Sequence, residues 1–326
     1  MNQLITMGLI TLITSWILTV IITPMLIPIL HRLKFGQEIR EEGPKSHMAK
    51  QGTPTMGGIA FVLATLLTMF ILRPSFILSP NGRAITIVFI GFFAIGLLDD
   101  CLIVVKKQNE GLSPKLKLLL QALVTLILVV TYQQRFFNPD FTSIMLFYNF
   151  SINLHQLYIV FALIMFVGYS NAINFTDGLD GLSSITVAIA LAFMSFIAYD
   201  QQQTVVLIYI CALIGALLGF FIFNKKPAKI FMGDTGSLAL GGFYAVVALL
   251  LKAEIISLII GFVFVAEMLS VVMQILYFKK TGRRLFRMAP IHHHFEEGSL
   301  KEQGTVLLFY ILGFLFGLLG VVLYFV

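Results

Sequence analysis

Five of the seven aspartates and a run of three histidines interrupt a largely apolar chain of 326 residues. They fall in four stretches: "GLLDD" ending at Asp100, "NFTDGLDGLS" with Asp177 and Asp180, "IFMGDTGS" with Asp234, and "APIHHHFEE" around His293. Asp99 and Asp100 are adjacent, so on a helix their side chains diverge by ~100° and cannot grip one ion as an i, i+4 pair would. That spacing suits separate tasks, one carboxylate facing a reacting proton and the other a metal or cationic group. A solvated or capping pair is the competing reading. Asp177 and Asp180 stand three apart, with Gly178 and Gly181 allowing a turn and close approach of the backbone to a ligand. Asn174, able to donate and accept, adds to a polar grip for a nucleobase, ribose or metal, although an Asp before a helix is often only its cap.

The stretch "GDTGS" precedes a long apolar run and places Asp234, Thr235 and Ser237 at a helix start. Free N–H groups there suit phosphate, and a carboxylate with hydroxyls suits a hard ion such as Mg²⁺. A Walker loop is excluded, because the closing Gly-Lys-Ser/Thr is absent. Consecutive histidines lack the i, i+4 spacing of a helical zinc pair. His292, His293 and His294 therefore cannot all converge on one ion, and one or two of them act. Arg283, Arg284 and Arg287 precede them, as an anion clamp or as basic anchors at a membrane surface. Glu267 lies well inside an apolar run and has no role legible in the sequence.

The elements that must position these residues are membrane helices. The chain is 58% hydrophobic and 12% charged, with repeated runs long enough to cross a hydrocarbon core of about 30 Å. Ten spans are expected near residues 7–30, 55–72, 84–104, 115–132, 156–174, 182–199, 204–222, 236–251, 254–278 and 305–325, giving an all-α polytopic membrane protein in one domain over 1–326. Pro24 and Pro28 should bend the first span. "FTSIMLFYNFSINL", within 141–154, alternates as a short outer β-hairpin would. Of the 22 Lys and Arg, 18 lie on odd-numbered loops or span ends bordering them and 4 on even loops. Odd loops then face the cytoplasm, and both termini lie outside. The formal charge of +6 reads as this topology signal and an attraction for anionic substrates or membrane lipid, with no nucleic-acid partner. Cys101 and Cys211 imply no disulfide framework.

All four polar stretches border odd loops. In lipid each aspartate would cost about 2.5–3.5 kcal/mol, and five together more than ~12 kcal/mol. They must line a wet cavity or the cytoplasmic interface. A transporter also places acids near broken helices, but at the midplane instead of one face, and a scaffold has no use for four such motifs on one side.

In order and placement, "KQGTPTMGGIAF", "LLDD", "GLSPKLKLLLQ", "NAINFTDGLDGLS", "IFMGDTGSLALGG" and "MAPIHHHFE" resemble the phospho-N-acetylmuramoyl-pentapeptide transferase family over essentially the whole chain. The aspartate motifs are similar to those of other polyprenyl-phosphate sugar-1-phosphate transferases, while "APIHHHFE" resembles the muramyl-peptide branch. Ile103 stands three positions after the aspartate pair, where the family commonly has a basic residue. The resemblance implies transfer of phospho-MurNAc-pentapeptide from UDP-MurNAc-pentapeptide to undecaprenyl phosphate, releasing UMP and forming lipid I at the cytoplasmic face of a bacterial membrane. It implies Mg²⁺ as cofactor with Asp234 as metal ligand, Asp99 as base toward the lipid phosphate and Asp100 organising the site. Asn174, Asp177, Asp180, Asn224 and Phe231 correspond to positions near the uridine, Phe231 by stacking on uracil. Lys45, Lys115 and His293 correspond to anion or sugar contacts, with His292 and His294 beside them, and a homodimer is implied.

Overall fold

The computed structural model describes residues 2–33, 52–106, 111–147 and 150–326. Its helices are α1 (Asn2–Arg32), α2 (Gly58–Leu72), α3 (Pro74–Leu78), α4 (Pro80–Lys106), α5 (Pro114–Thr131), α6 (Gln133–Phe136) and α7 (Pro139–Thr142). After a hairpin of β1 (Ser143–Phe147) and β2 (Phe150–Asn153) come α8 (Leu157–Thr176), α9 (Leu182–Asp200), α10 (Thr204–Asn224) and α11 (Gly233–Leu250). The chain closes with α12 (Glu254–Ile260), α13 (Phe262–Thr281), α14 (Ile291–Glu296) and α15 (Glu302–Phe325).

Among the described residues nine helices are long and apolar enough to cross a membrane: α1, α4, α5, α8, α9, α10, α11, α13 and α15. The expected span at 55–72 is the shorter α2, with 15 residues. The one expected at 254–278 is broken at Gly261 into α12 and α13. A continuous apolar run does not reveal such a break, because hydropathy carries no backbone direction. The architecture is all-α and polytopic, with the expected hairpin as its small sheet. β1 and β2 pair antiparallel from Ser143↔Asn153 to Phe147↔Phe150, with an irregularity between Met145 and Phe147.

The bundle is built around α11, whose residues from Thr235 to Leu250 are all buried and which packs on α4, α8 and α2. Small residues make this possible, since helices in lipid associate through close van der Waals contact. A Cβ added at Gly58 would lie 2.3 Å from Gly236 Cα, and one at Gly96 would lie 2.0 Å from the Asp234 carbonyl oxygen. Backbones of α2 and α4 therefore touch the first turn of α11. The outer helices invert the pattern of a soluble helix. In α1, Thr11, Ser15, Thr19 and Thr23 form the buried stripe, while Leu9, Ile13, Ile17 and Ile21 are exposed. Thr19 and Thr23 hydroxyls donate to carbonyls four residues earlier, which satisfies them without a neighbour.

Candidate active site

The first turn of α11 is where the sequence motifs meet. Asp100, 4% exposed near the end of α4, accepts from the Asp234 N–H at 3.2 Å, the Thr235 N–H at 2.9 Å and the Thr235 hydroxyl at 2.6 Å. A carboxylate at a helix N-terminus satisfies donors that have no intrahelical partner and opposes the helix dipole. The N–H groups of Asp234 and Thr235, expected to be free for phosphate, are thus taken by Asp100. Sequence alone could not show that another helix supplies the cap.

Asp99 points elsewhere, as adjacency on a helix requires. Its Oδ1 accepts from the Leu112 N–H at 2.8 Å, and its Oδ2 lies 3.3 Å from Lys117 Nζ. The same ammonium is 2.8 Å from Asp234 Oδ2. Asn174 Nδ2 donates to Asp234 Oδ1 at 2.7 Å and to Ser237 Oγ at 2.8 Å. Four elements, α4, α5, α8 and α11, therefore bring Asp99, Lys117, Asn174 and Asp234 to one point at one end of the bundle.

Asp177, in the turn after α8, is half-buried. Burial, then the carboxylates of Asp234, Asp100 and Asp180, hold its carboxyl well above the usual range, against a hydrogen bond from the Gly233 backbone. Asp180 Oδ2 accepts from the Ala228 N–H at 3.0 Å, and its own N–H reaches Glu302 Oε1 at 3.4 Å. Asn224 is buried, accepting from the Ser184 hydroxyl at 2.7 Å and donating to the Ile230 carbonyl at 3.0 Å. That side chain thus ties the 225–232 segment to α9. Phe231 is half-buried, and its backbone joins this segment to the "GTPTMGG" stretch: its N–H donates to the Pro54 carbonyl and its carbonyl accepts from Gly57, both at 2.8 Å.

The histidines of α14 take different partners. His292 is fully buried, with Nδ1 3.1 Å from Glu267 Oε1. His293 Nδ1 lies 3.0 Å from Glu296 Oε2, and His294 Nδ1 accepts from the Arg287 N–H at 3.1 Å. Arg283, Arg284 and Arg287 are exposed, and Arg287 donates to the Glu297 carbonyl at 3.0 Å. Lys45 lies outside the described residues. Lys115 is exposed.

Lys117 is the residue that sequence reading missed. The signal was present: Gln121 and Thr125 follow it at i+4 and i+8 in a leucine-rich helix, and both are buried. Gln121 donates to Ser170 at 3.0 Å. A polar stripe on a lipid-bound helix faces the protein, and Lys115, two residues away, cannot share it.

A family model, Glycosyl transferase family 4, matches residues 83–252, and the phospho-N-acetylmuramoyl-pentapeptide-transferase signature 1 matches residues 50–62. A phospho-N-acetylmuramoyl-pentapeptide-transferase of Geobacillus sp. (strain WCH70) is 47% identical over 312 residues, 95% of each chain. The chain belongs to the phospho-N-acetylmuramoyl-pentapeptide transferase family. The family's relatives include the Bacillus subtilis (strain 168) protein of that name, 45% identical over 314 residues and 96% of each chain. That of Staphylococcus saprophyticus is 48% identical over 311 residues, covering 94% of this chain and 96% of the relative. The part of the chain matched by the broader family model contains Asp99, Lys117, Asn174 and Asp234, while α14 with its histidines lies beyond it.

Proposed function

We infer that this multi-pass membrane transferase moves phospho-MurNAc-pentapeptide from UDP-MurNAc-pentapeptide to undecaprenyl phosphate, giving lipid I and UMP in peptidoglycan synthesis. An oxygen of the lipid phosphate attacks the sugar-bound phosphorus, and the bond to the UMP oxygen breaks. The observation that carries the reading is the convergence of Asp99, Asp234 and Lys117 at a bundle end reached by the nucleotide-type turn 177–180. Two anions must meet there, and a fixed cation lowers their repulsion. Asp99, with one oxygen fixed by Leu112 and the other turned to Lys117, would take the proton of the lipid phosphate. Asp100 acts on Asp234 by holding the first turn of α11.

Mg²⁺ fits this donor set. Asp99 and Asp234 offer hard oxygens to one point, now facing the Lys117 ammonium. Among the described residues no three acidic, His or Cys side chains form a metal cage, and Mg²⁺ is commonly held by one or two carboxylates with substrate phosphates. Asp234 would hold it, and the ion would supply charge neutralisation at the transferring phosphate. We further infer that the site faces the cytoplasm of the bacterial plasma membrane and that the chain works as a homodimer, on the charge asymmetry and the resemblance respectively.

The aspartates address phosphate, metal and uridine, so donor choice rests on the loop around α14. Purified protein with Mg²⁺ and undecaprenyl phosphate is expected to release UMP from UDP-MurNAc-pentapeptide at least ~100-fold more efficiently than from UDP-GlcNAc, about 2.7 kcal/mol in transition-state binding. Equal use of both donors would refute the muramyl assignment.

A further inference from the structure

Glu267 sits in the second turn of α13 with no exposed surface. A carboxylate there costs several kcal/mol unless it is paired. Both of its oxygens turn to one residue: Oε1 lies 3.1 Å from His292 Nδ1, and Oε2 lies 3.5 Å from the His292 N–H. The other ring nitrogen, Nε2, is buried and has no hydrogen-bond partner among the described residues. A Cβ built on Gly178 would lie 2.3 Å from that Nε2, so the ring edge abuts the backbone between Asp177 and Asp180. Only a glycine admits it.

We propose that Glu267 is a positioning residue: it fixes His292 with its proton on Nδ1, so that the bare Nε2 edge packs against Gly178 and seats the 177–180 turn that carries Asp177 and Asp180. The kinetic expectation rests on the functional reading above, whereas the tautomer rests on the dyad alone. A carboxylate is the side chain for this task, because it accepts at both oxygens at once. Glutamine offers one acceptor. With that oxygen on the His292 N–H, its NH₂ meets Nδ1 and drives the proton to Nε2, which turns an N–H against the Gly178 backbone. The logic is that of an acid orienting a histidine in a catalytic triad, here without a nucleophile.

The full chain in detergent, labelled with ¹⁵N-histidine, gives the direct test, with His292→Gln assigning the resonance among six histidines. At a pH where the ring is neutral, His292 is expected to carry its proton on Nδ1, and Glu267→Gln to shift it to Nε2. Glu267→Asp keeps the carboxylate and is expected to restore the wild-type tautomer. An Nε2–H ring in the wild type, or an unchanged tautomer in Glu267→Gln, would overturn the proposal. In UMP release, Glu267→Gln and His292→Gln should each lower kcat/KM about 100-fold, and the double variant no further. Wild-type kinetics in Glu267→Gln, or losses that multiply, would also overturn it. If the wild-type protein releases no UMP from UDP-MurNAc-pentapeptide, the functional reading fails and the NMR result decides the tautomer by itself.

Discussion

Lys117 Nζ lies 2.8 Å from Asp234 Oδ2 and so ties the start of α5 to the start of α11. The contact joins residues 117 positions apart, and through the same nitrogen Asp99 of α4 is drawn in at 3.3 Å. One cation thus balances two carboxylates that a bilayer-embedded bundle could not otherwise hold side by side.

Lys117→Met is expected to lower kcat for UMP release by at least ~100-fold, comparable to the loss of one electrostatic stabiliser. Lys115→Met, at an exposed position, should stay within about threefold of wild type. Steady-state kinetics of both variants check the pair, and an equal loss at both positions would dissociate Lys117 from the site.

Asp100→Asn removes one acceptor oxygen from three donors in the first turn of α11. The cost of an unsatisfied buried donor is about 1–3 kcal/mol. The apparent melting temperature in detergent should therefore fall, together with activity, because Asp234 rides on the same turn. A variant as stable as wild type would show that the cap is dispensable.

Asp177 has a carboxyl held above its unfolded range, so its contribution to stability has a definite sign. Above about pH 4 the unfolded chain releases this proton while the folded chain keeps it. The folded state then binds more protons, and stability falls as pH rises toward the folded value. Asp177→Asn is expected to gain on wild type in melting temperature as pH rises above about 4. A difference that is flat or shrinks with pH would contradict the burial of that carboxyl.

At the opposite end of the bundle, Lys252 Nζ lies 2.5 Å from Glu254 Oε1 and 2.7 Å from the Phe141 carbonyl, which it anchors beside the hairpin. Tyr158 donates to the same carboxylate at 2.5 Å, and Glu254 is 1% exposed. Lys252→Ala leaves this buried charge short of its cation and should cost about 3–5 kcal/mol, whereas Lys252→Ala with Glu254→Gln should recover most of that loss. Melting temperatures of the two variants decide it.

The membrane class, most span positions, the hairpin and the gathering of Asp99, Asp100, Asn174, Asp177 and Asp234 at one face were legible in the sequence. Apolar length and charge asymmetry are imposed locally by the bilayer, residue by residue, and so survive in the linear order. The tertiary structure decided which partner each polar group takes. Lys117 instead of Lys115 reaches the aspartates because α5 turns its Gln121 side inward. Asp100 closes the N–H groups of α11 because Gly96 lets the two backbones touch. Glu267 finds His292 from 25 residues away, on a helix that begins only after a break at Gly261 that hydropathy does not reveal. Such pairings depend on helix rotation and crossing, which are set by the packing of small residues against distant neighbours and are not written in any one segment.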